Sequence, residues 1–307
     1  MSTAISPQES RDVQVATPTK PKPSREPLGA KINRVLSKST VNIVLLIIAA
    51  MWLLPTTGLF FQSVRSMQDN SQTGWWTIFD NFEQWTWENY RNLLENDSMM
   101  NSLWNTVLIV VPSTLLVVFI GAMAGYALAW IEFPGRTALL TLIVGLMAVP
   151  LQVSFIPIAQ LFGEVGLFGT RWAVILFHTA FGLPFAVFLM RNYFRQISPE
   201  LMEAARLDGA GEFRIFTRIA LPLGAPALAS LTIFQFLWSW NDMLVALIFA
   251  GPRDRPITVA LSEQLRLFSS NIDILAAGAF LSMAIPLLVF FAGQKYFVNA
   301  LLQGSTK

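Results

Sequence analysis

Six long apolar runs decide what this chain can fold into: residues 41–61, 104–130, 137–161, 172–190, 226–250 and 274–297. Each approaches or exceeds the roughly 20 apolar residues that a helix needs to cross a bilayer. Lipid offers no partners to backbone N–H and C=O groups, so spans of this length satisfy them internally as helices. Hydrophobic residues make up 54% of the 307 and charged residues 13%, a balance that suits several membrane spans better than one water-surrounded core. The expected fold is an all-α integral membrane protein of six spans. Pro55, Pro112, Pro150, Pro184, Pro226 and Pro286 lie in or against these runs. Kinks are expected there, tolerated where neighbouring helices re-satisfy the freed carbonyls, and bent helices leave room for a cavity.

Residues 1–40 are polar, carry Pro18, Pro21, Pro23 and Pro27 among basic residues, and lack the apolar core of a cleavable signal peptide. They read as a disordered basic tail. Residues 41–103 supply the first span and a loop, and residues 104–307 supply a core of five spans interrupted by a polar stretch at 198–225. With the N-terminus inside, fifteen of the 21 lysines and arginines fall on the cytoplasmic side and six on the other, so both termini and the 198–225 stretch are expected in the cytoplasm. The outer segment 62–103 is acidic and carries Trp75, Trp76, Trp85 and Trp87. These tryptophans suit an interfacial aromatic belt or contact with an external partner.

The chain has no cysteine and one histidine, His178, so disulfides, thiolate chemistry and multi-histidine metal sites are not expected. It has no G-x-x-x-x-G-K-[ST] loop, so any ATP that drives it is bound by another polypeptide. Nor is there a G-x-S-x-G elbow with a second histidine to serve it. A catalytic role has little support.

In the 198–225 stretch, Ser198 can cap a helix that opens on Pro199, with Glu200 and Glu203 where the helix dipole favours negative charge. Gly209, after Asp208, suits the left-handed position just past a helix end. A second helix is expected from about Glu212 to Leu221, stopping at Pro222 and leading into span five. Leu201, Ala204, Ala205 and Leu207 give the first helix a small apolar surface with charges around it. That surface suits a partner's groove; the plainer reading is an amphipathic helix lying on the leaflet.

Glu203-Ala204-Ala205, Asp208-Gly209-Ala210, Phe216, Ile219 and Leu221-Pro222 together resemble the EAA loop of membrane subunits of binding-protein-dependent ABC importers, the sugar branch above all. The resemblance extends through Asn89-Tyr90, Asn105-Thr106, residues 124–129 and 178–185, Trp240-Asn241-Asp242 and Lys295-Tyr296-Phe297. Gly74-Trp75-Trp76-Thr77 and Ser270-Asn271-Ile272-Asp273 are similar to the second permease of α-glucoside systems of the maltose-importer type. The resemblance implies a six-helix importer domain in a bacterial or archaeal plasma membrane. It implies three partners: a second permease, an ATPase dimer and an extracytoplasmic solute-binding protein. It also implies that no cofactor binds this chain, ATP and Mg being held by the ATPase. Glu203, Ala204, Ala205, Asp208, Gly209 and Ala210 would then form the coupling helix that docks on that ATPase. The cargo implied is maltose or a related α-glucoside, with a monosaccharide or polyol as the alternative.

Gln235, Ser239 and Asp242 are spaced by four and three, which puts them on one face of span five. An ionised group at depth costs roughly 2.5–3.5 kcal/mol and so faces a bundle interior or a water-filled cavity. Trp238 and Trp240 flank the stripe and could stack on a pyranose ring. Alternatively Asp242 pairs with a neighbouring helix, caps a bend or lies near the outer interface. His178, in the outer third of span four, reads as a helix–helix hydrogen-bond partner or a path residue, and Gln152 and Ser154 are weaker path candidates. No Lys or Arg lies within the six runs before Lys295, which favours a neutral solute. A self-contained secondary transporter would show repeated halves and ionisable coupling groups; only Asp242 qualifies, and no repeat is visible.

Overall fold

The computed structural model describes residues 28–267 and 272–305, with the side chains of 39–264 and 275–295. The tail up to residue 27 and Ser270-Asn271 lie outside the described residues, as do the side chains of Ile272, Asp273, Tyr296 and Phe297. The chain divides into two compact units after Pro55. The first contains most of helix α1 (Leu28–Ser63). That helix begins twelve residues before the expected end of the disordered tail. No proline interrupts the backbone ladder between Pro27 and Pro55, and Leu28, Ala30, Ile32, Val35 and Leu36 are residues that a helix accepts.

The second unit holds the remaining helices: α2 (Met67–Gln72), α3 (Glu88–Glu95), α4 (Asp97–Trp130), α5 (Arg136–Leu146), α6 (Phe155–Glu164), α7 (Arg171–Phe194), α8 (Pro199–Leu207), α9 (Glu212–Ile215), α10 (Leu221–Leu223), α11 (Ala225–Asn241), α12 (Leu244–Phe249), α13 (Ile257–Leu267) and α14 (Ile272–Ser305). Among the described residues, four helices are long and apolar enough to cross a membrane, and the count reaches six when each of two bent pairs is taken as one span.

Two of the expected spans are broken rather than merely kinked. The run 137–161 is broken between α5 and a 3-10 turn at Leu151–Ser154, with a 99° change of direction. Pro150 drives the residue before it out of the helical region, which ends α5 early. The run 226–250 stops at Asn241, because Asp242 is extended (ψ 135°) and turns its carboxylate onto the next helix. The second loop helix also runs beyond Pro222. A π turn at Phe216–Ala220 closes with Leu221 N bonded to Phe216 O, and the chain bends by 75° at Gly224 before α11.

Helices α4 and α7 form the centre of the unit. A Cβ on Gly121 would lie 2.7 Å from Ala186 Cβ, and one on Gly125 would lie 2.7 Å from Met190 Cβ and 2.9 Å from Arg191 N. Without a hydrophobic drive between helices in lipid, such small residues let backbones approach and gain dispersion contacts. A buried cluster of Val117, Tyr126, Met190, Phe194, Met202, Ile215 and Leu231 continues this seam towards α8 and α11.

Segment 62–103, legible in sequence only as an acidic Trp-rich loop, folds around Arg65. This side chain is fully buried, and its guanidinium donates to Gln84 Oε1 at 2.9 Å, Thr73 Oγ1 at 2.5 Å and Asp69 O at 3.1 Å. Asn89 Nδ2 ties α3 to the end of α1 through Ser63 O (3.0 Å) and Arg65 O (2.7 Å). Trp75 is a packing residue stacked on Phe61, whereas Trp76 and Trp87 are exposed.

Candidate functional site: a polar segment and a buried polar node

The 198–225 segment is built as its capping residues dictate. Ser198 Oγ accepts from Leu201 N at 3.2 Å and Pro199 opens α8. The Glu200 carboxyl is held below the usual carboxylate range by hydrogen bonds from its own backbone N–H and from Ser198. At the other end Gly209 takes φ +77°, with Gly209 N bonded to Arg206 O at 3.0 Å and Ala210 N to Ala205 O at 3.1 Å. These two bonds are the Schellman pair, which a left-handed residue at this position makes possible.

The segment presents one face and anchors the other. Glu203, Ala204, Asp208 and Gly209 are exposed, Ala205 and Ala210 are half-buried against the core, and Met202 and Ile215 are fully buried beneath them. Leu207 is 89% and Phe213 76% exposed, so two large apolar side chains stand bare on a polar segment. Glu212 is the node that fixes it: Tyr126 Oη donates to Glu212 Oε2 at 2.6 Å and Arg206 Nε to Glu212 Oε1 at 2.9 Å. Arg206 Nη2 also reaches Trp130 O at 3.3 Å, and Trp130 Nε1 donates to Phe194 O at 2.9 Å. The sequence marks Glu212 as the start of a helix and does not single out Arg206, Tyr126 or Trp130 for this node. Two hydrogen-bonding aromatics in the last turns of an apolar span were the available signal.

The other candidates gather in part around the break between α11 and α12. Gln235 and Ser239 are buried and bonded to each other, Nε2 to Oγ, at 3.1 Å, and Gly182 leaves the space that Gln235 fills. Asp242 does not extend their stripe. Its carboxylate accepts from Val245 N at 3.1 Å and Ala246 N at 3.3 Å, and its backbone carbonyl accepts from Thr258 Oγ1 at 2.8 Å. It caps a bend, as one of the alternatives allowed. His178 is buried, with Nε2 3.6 Å from Asp242 Oδ2, its ring edge-on to Trp238 and its Nδ1 without a partner. Trp240 is buried and bonded to Ser282 O at 3.0 Å, so it cannot stack on a sugar; the half-exposed Trp238 can. Gln152 is exposed on the 3-10 turn, with Ser154 half-buried at its end, and neither joins this node. A cleft of about 430 Å³ between α11 and α14 is lined by Leu237, Asn241, Ser282 and Phe290.

Because Asp242 is engaged by two backbone donors, Asp242→Asn, whose amide oxygen still accepts, should leave transport KM within about twofold of the parent, whereas Asp242→Ala should cost roughly 1 kcal/mol of stability through the lost cap. Thermal unfolding and uptake kinetics check both; a tenfold rise in KM for Asp242→Asn would return the carboxylate to the substrate path.

A family model described as a binding-protein-dependent transport system inner membrane component matches residues 117–303. The osmoprotective compounds uptake permease protein GgtD of Synechocystis sp. is 43% identical over 275 residues, 88% of this chain and 92% of the relative. The alpha-glucoside transport system permease protein AglG of Rhizobium meliloti is 47% identical over 231 residues, 73% of this chain and 61% of that relative's length. Among solved structures, a chain from a bacterial ABC transporter involved in the import of the acidic polysaccharide alginate superimposes with a TM-score of 0.73 at 25% identity. The match covers 86% of this chain and 97% of that one.

Proposed function

This chain belongs to the family of binding-protein-dependent transport system inner membrane components, and from that premise we propose that it forms, with a second permease, the membrane path of an α-glucoside importer of the maltose type. As a permease subunit of a sugar ABC importer it is a multi-pass inner-membrane transport component, not an enzyme. In this reading an ATPase dimer holds ATP and Mg, an extracytoplasmic solute-binding protein delivers the sugar, and both termini of this chain are cytoplasmic. The relative named for alpha-glucoside transport supports the cargo, as does the absence of Lys or Arg within the six apolar runs before Lys295.

The observation that carries the coupling role is the contrast between the two faces of α8: Leu207 is bare while Met202 is sealed into the core. A groove on the ATPase that closes over the bare face moves the whole segment. Arg206–Glu212–Tyr126 passes that motion to α4, Met202 and Ile215 pass it to the end of α7, and the bend at Gly224 passes it to α11. This is alternating access by rigid-body movement. A second reading, an osmoprotective solute as cargo, is favoured by the relative so named, which matches more of both chains.

Uptake of radiolabelled α-linked glucosides, monosaccharides and polyols by the complex reconstituted in vesicles separates the two. ATP-dependent uptake of an α-glucoside, competed by other α-glucosides, is expected; uptake confined to a polyol-type osmoprotectant would support the second reading instead.

A further inference from the structure

The ends of α4, α5 and α7 nearest α8 gather three guanidinium groups. Arg136 at the start of α5 donates through Nε to Leu128 O and through Nη2 to Ala129 O, both at 2.9 Å, and so caps the last turn of α4. Arg191 and Arg195 stand one turn apart at the end of α7, and the contact of Gly125 with Met190 and Arg191 brings that turn onto α4. Arg195 and Arg136 both act on Arg191 as like charges. Among the described residues, the ion pairs at Asp254, Asp242, Glu212 and Glu263 involve none of these three arginines. Arg191 Nη1 donates to Asn192 Oδ1 at 3.0 Å, while its buried Nε has no acceptor among the described residues. Glu132 lies in the turn before Arg136, in a shallow groove of about 320 Å³, and makes no ion pair with it.

Three like charges that make no ion pair among the described residues repel one another, and a guanidinium left short of an acceptor in a partly buried place is destabilising. The planar fork of arginine matches phosphate oxygens in pairs. Depth selects the source of that phosphate. Arg136 opens a half-span whose Leu139, Leu142 and Leu146 are exposed, and Arg191 lies in the last turn of the apolar helix α7, so the cluster stands at the boundary of the hydrocarbon. A docking protein would meet the exposed surface of α8 first. We infer that Arg136, Arg191 and Arg195 form a site for the phosphodiester headgroup of an anionic lipid, in the leaflet next to α8, which clamps the ends of α4, α5 and α7 beneath the coupling segment.

The test uses the assembled complex in nanodiscs of phosphatidylcholine with added phosphatidylglycerol, followed by native mass spectrometry of retained lipid. Arg136 is left intact because it caps α4. The wild type should retain phosphatidylglycerol in preference to phosphatidylcholine, Arg191→Gln/Arg195→Gln should lower that retention by about tenfold, as expected for lost charge-assisted bonds, and Arg191→Lys/Arg195→Lys should keep most of it. Three outcomes overturn the site: equal retention of both lipids by the wild type, retention unchanged in the glutamine variant, or displacement of all bound lipid by millimolar inorganic phosphate. Loss of the ATPase from the glutamine variant with phosphatidylglycerol still bound overturns it in favour of a protein contact. If the glutamine variant is not recovered folded, failure of the lysine variant to prefer phosphatidylglycerol overturns it.

Discussion

Gly209→Pro abolishes ATP-driven uptake while leaving the protein in the membrane. Gly209 holds φ +77°, and proline is locked near −65°, so the turn between α8 and α9 cannot keep its shape. The same substitution removes the N–H that bonds Arg206 O. Gly209→Ala keeps that N–H and meets only the cost of a non-glycine residue in a left-handed conformation, about 1–2 kcal/mol. Misplacement of α8 by the proline, if it costs the docked state about 3 kcal/mol, lowers uptake on the order of 100-fold. Residue 209 lies in none of the spans, so membrane insertion should be unchanged by fractionation. If the exposed face of α8 docks on the ATPase as proposed, Glu203→Lys on that face should likewise stop uptake by reversing a charge at the contact. Normal uptake by either variant, in vesicles containing a working ATPase, would remove the docking role from this segment.

Gly125→Leu is the change with the largest expected effect on stability. The new Cβ would fall within 3.1 Å of Met190 Cβ, Met190 C and Arg191 N; two of these are backbone atoms that cannot swing aside. Helices α4 and α7 must then separate along the seam that contains Tyr126 and Phe194. Overpacking costs roughly 1–3 kcal/mol where neighbours can adjust, and here they cannot, so a loss of at least 3 kcal/mol and a fall of about 6–12 °C in Tm are expected. Unfolding of the purified protein in detergent measures this; an unchanged Tm would mean that the α4–α7 seam is not the centre of the fold.

The sequence disclosed the spans because lipid leaves a helix few ways to satisfy its backbone, and it disclosed the Ser198 cap and the Gly209 turn because those depend on neighbours in the chain. It did not disclose where spans break. Pro150 ends a helix outright, whereas Pro112 and Pro184 sit inside continuous ones; the difference lies in the tertiary surroundings. Gly121 and Gly125 show a four-residue spacing in sequence, but nothing local names α7 as the helix they meet. Asp242 leaves the Gln235–Ser239 stripe for a similar reason: spacing by four and three assumes a continuing helix, and the carboxylate, capping the next helix as one of the alternatives allowed, helps to end it. The Tyr126–Glu212 bond joins residues 86 apart, beyond any local pattern.

If the exposed face of α8 receives the ATPase, as proposed, the absence of cysteine from this chain makes that contact directly testable. A single Leu207→Cys, at a side chain 89% exposed, is joined by a short thiol-to-amine cross-linker in membranes carrying the full complex. A covalent adduct with the ATPase subunit is expected from Leu207→Cys and none from Trp76→Cys in segment 62–103. An ATPase adduct from Trp76→Cys, or none from a labelled Leu207→Cys in an actively transporting complex, would contradict it.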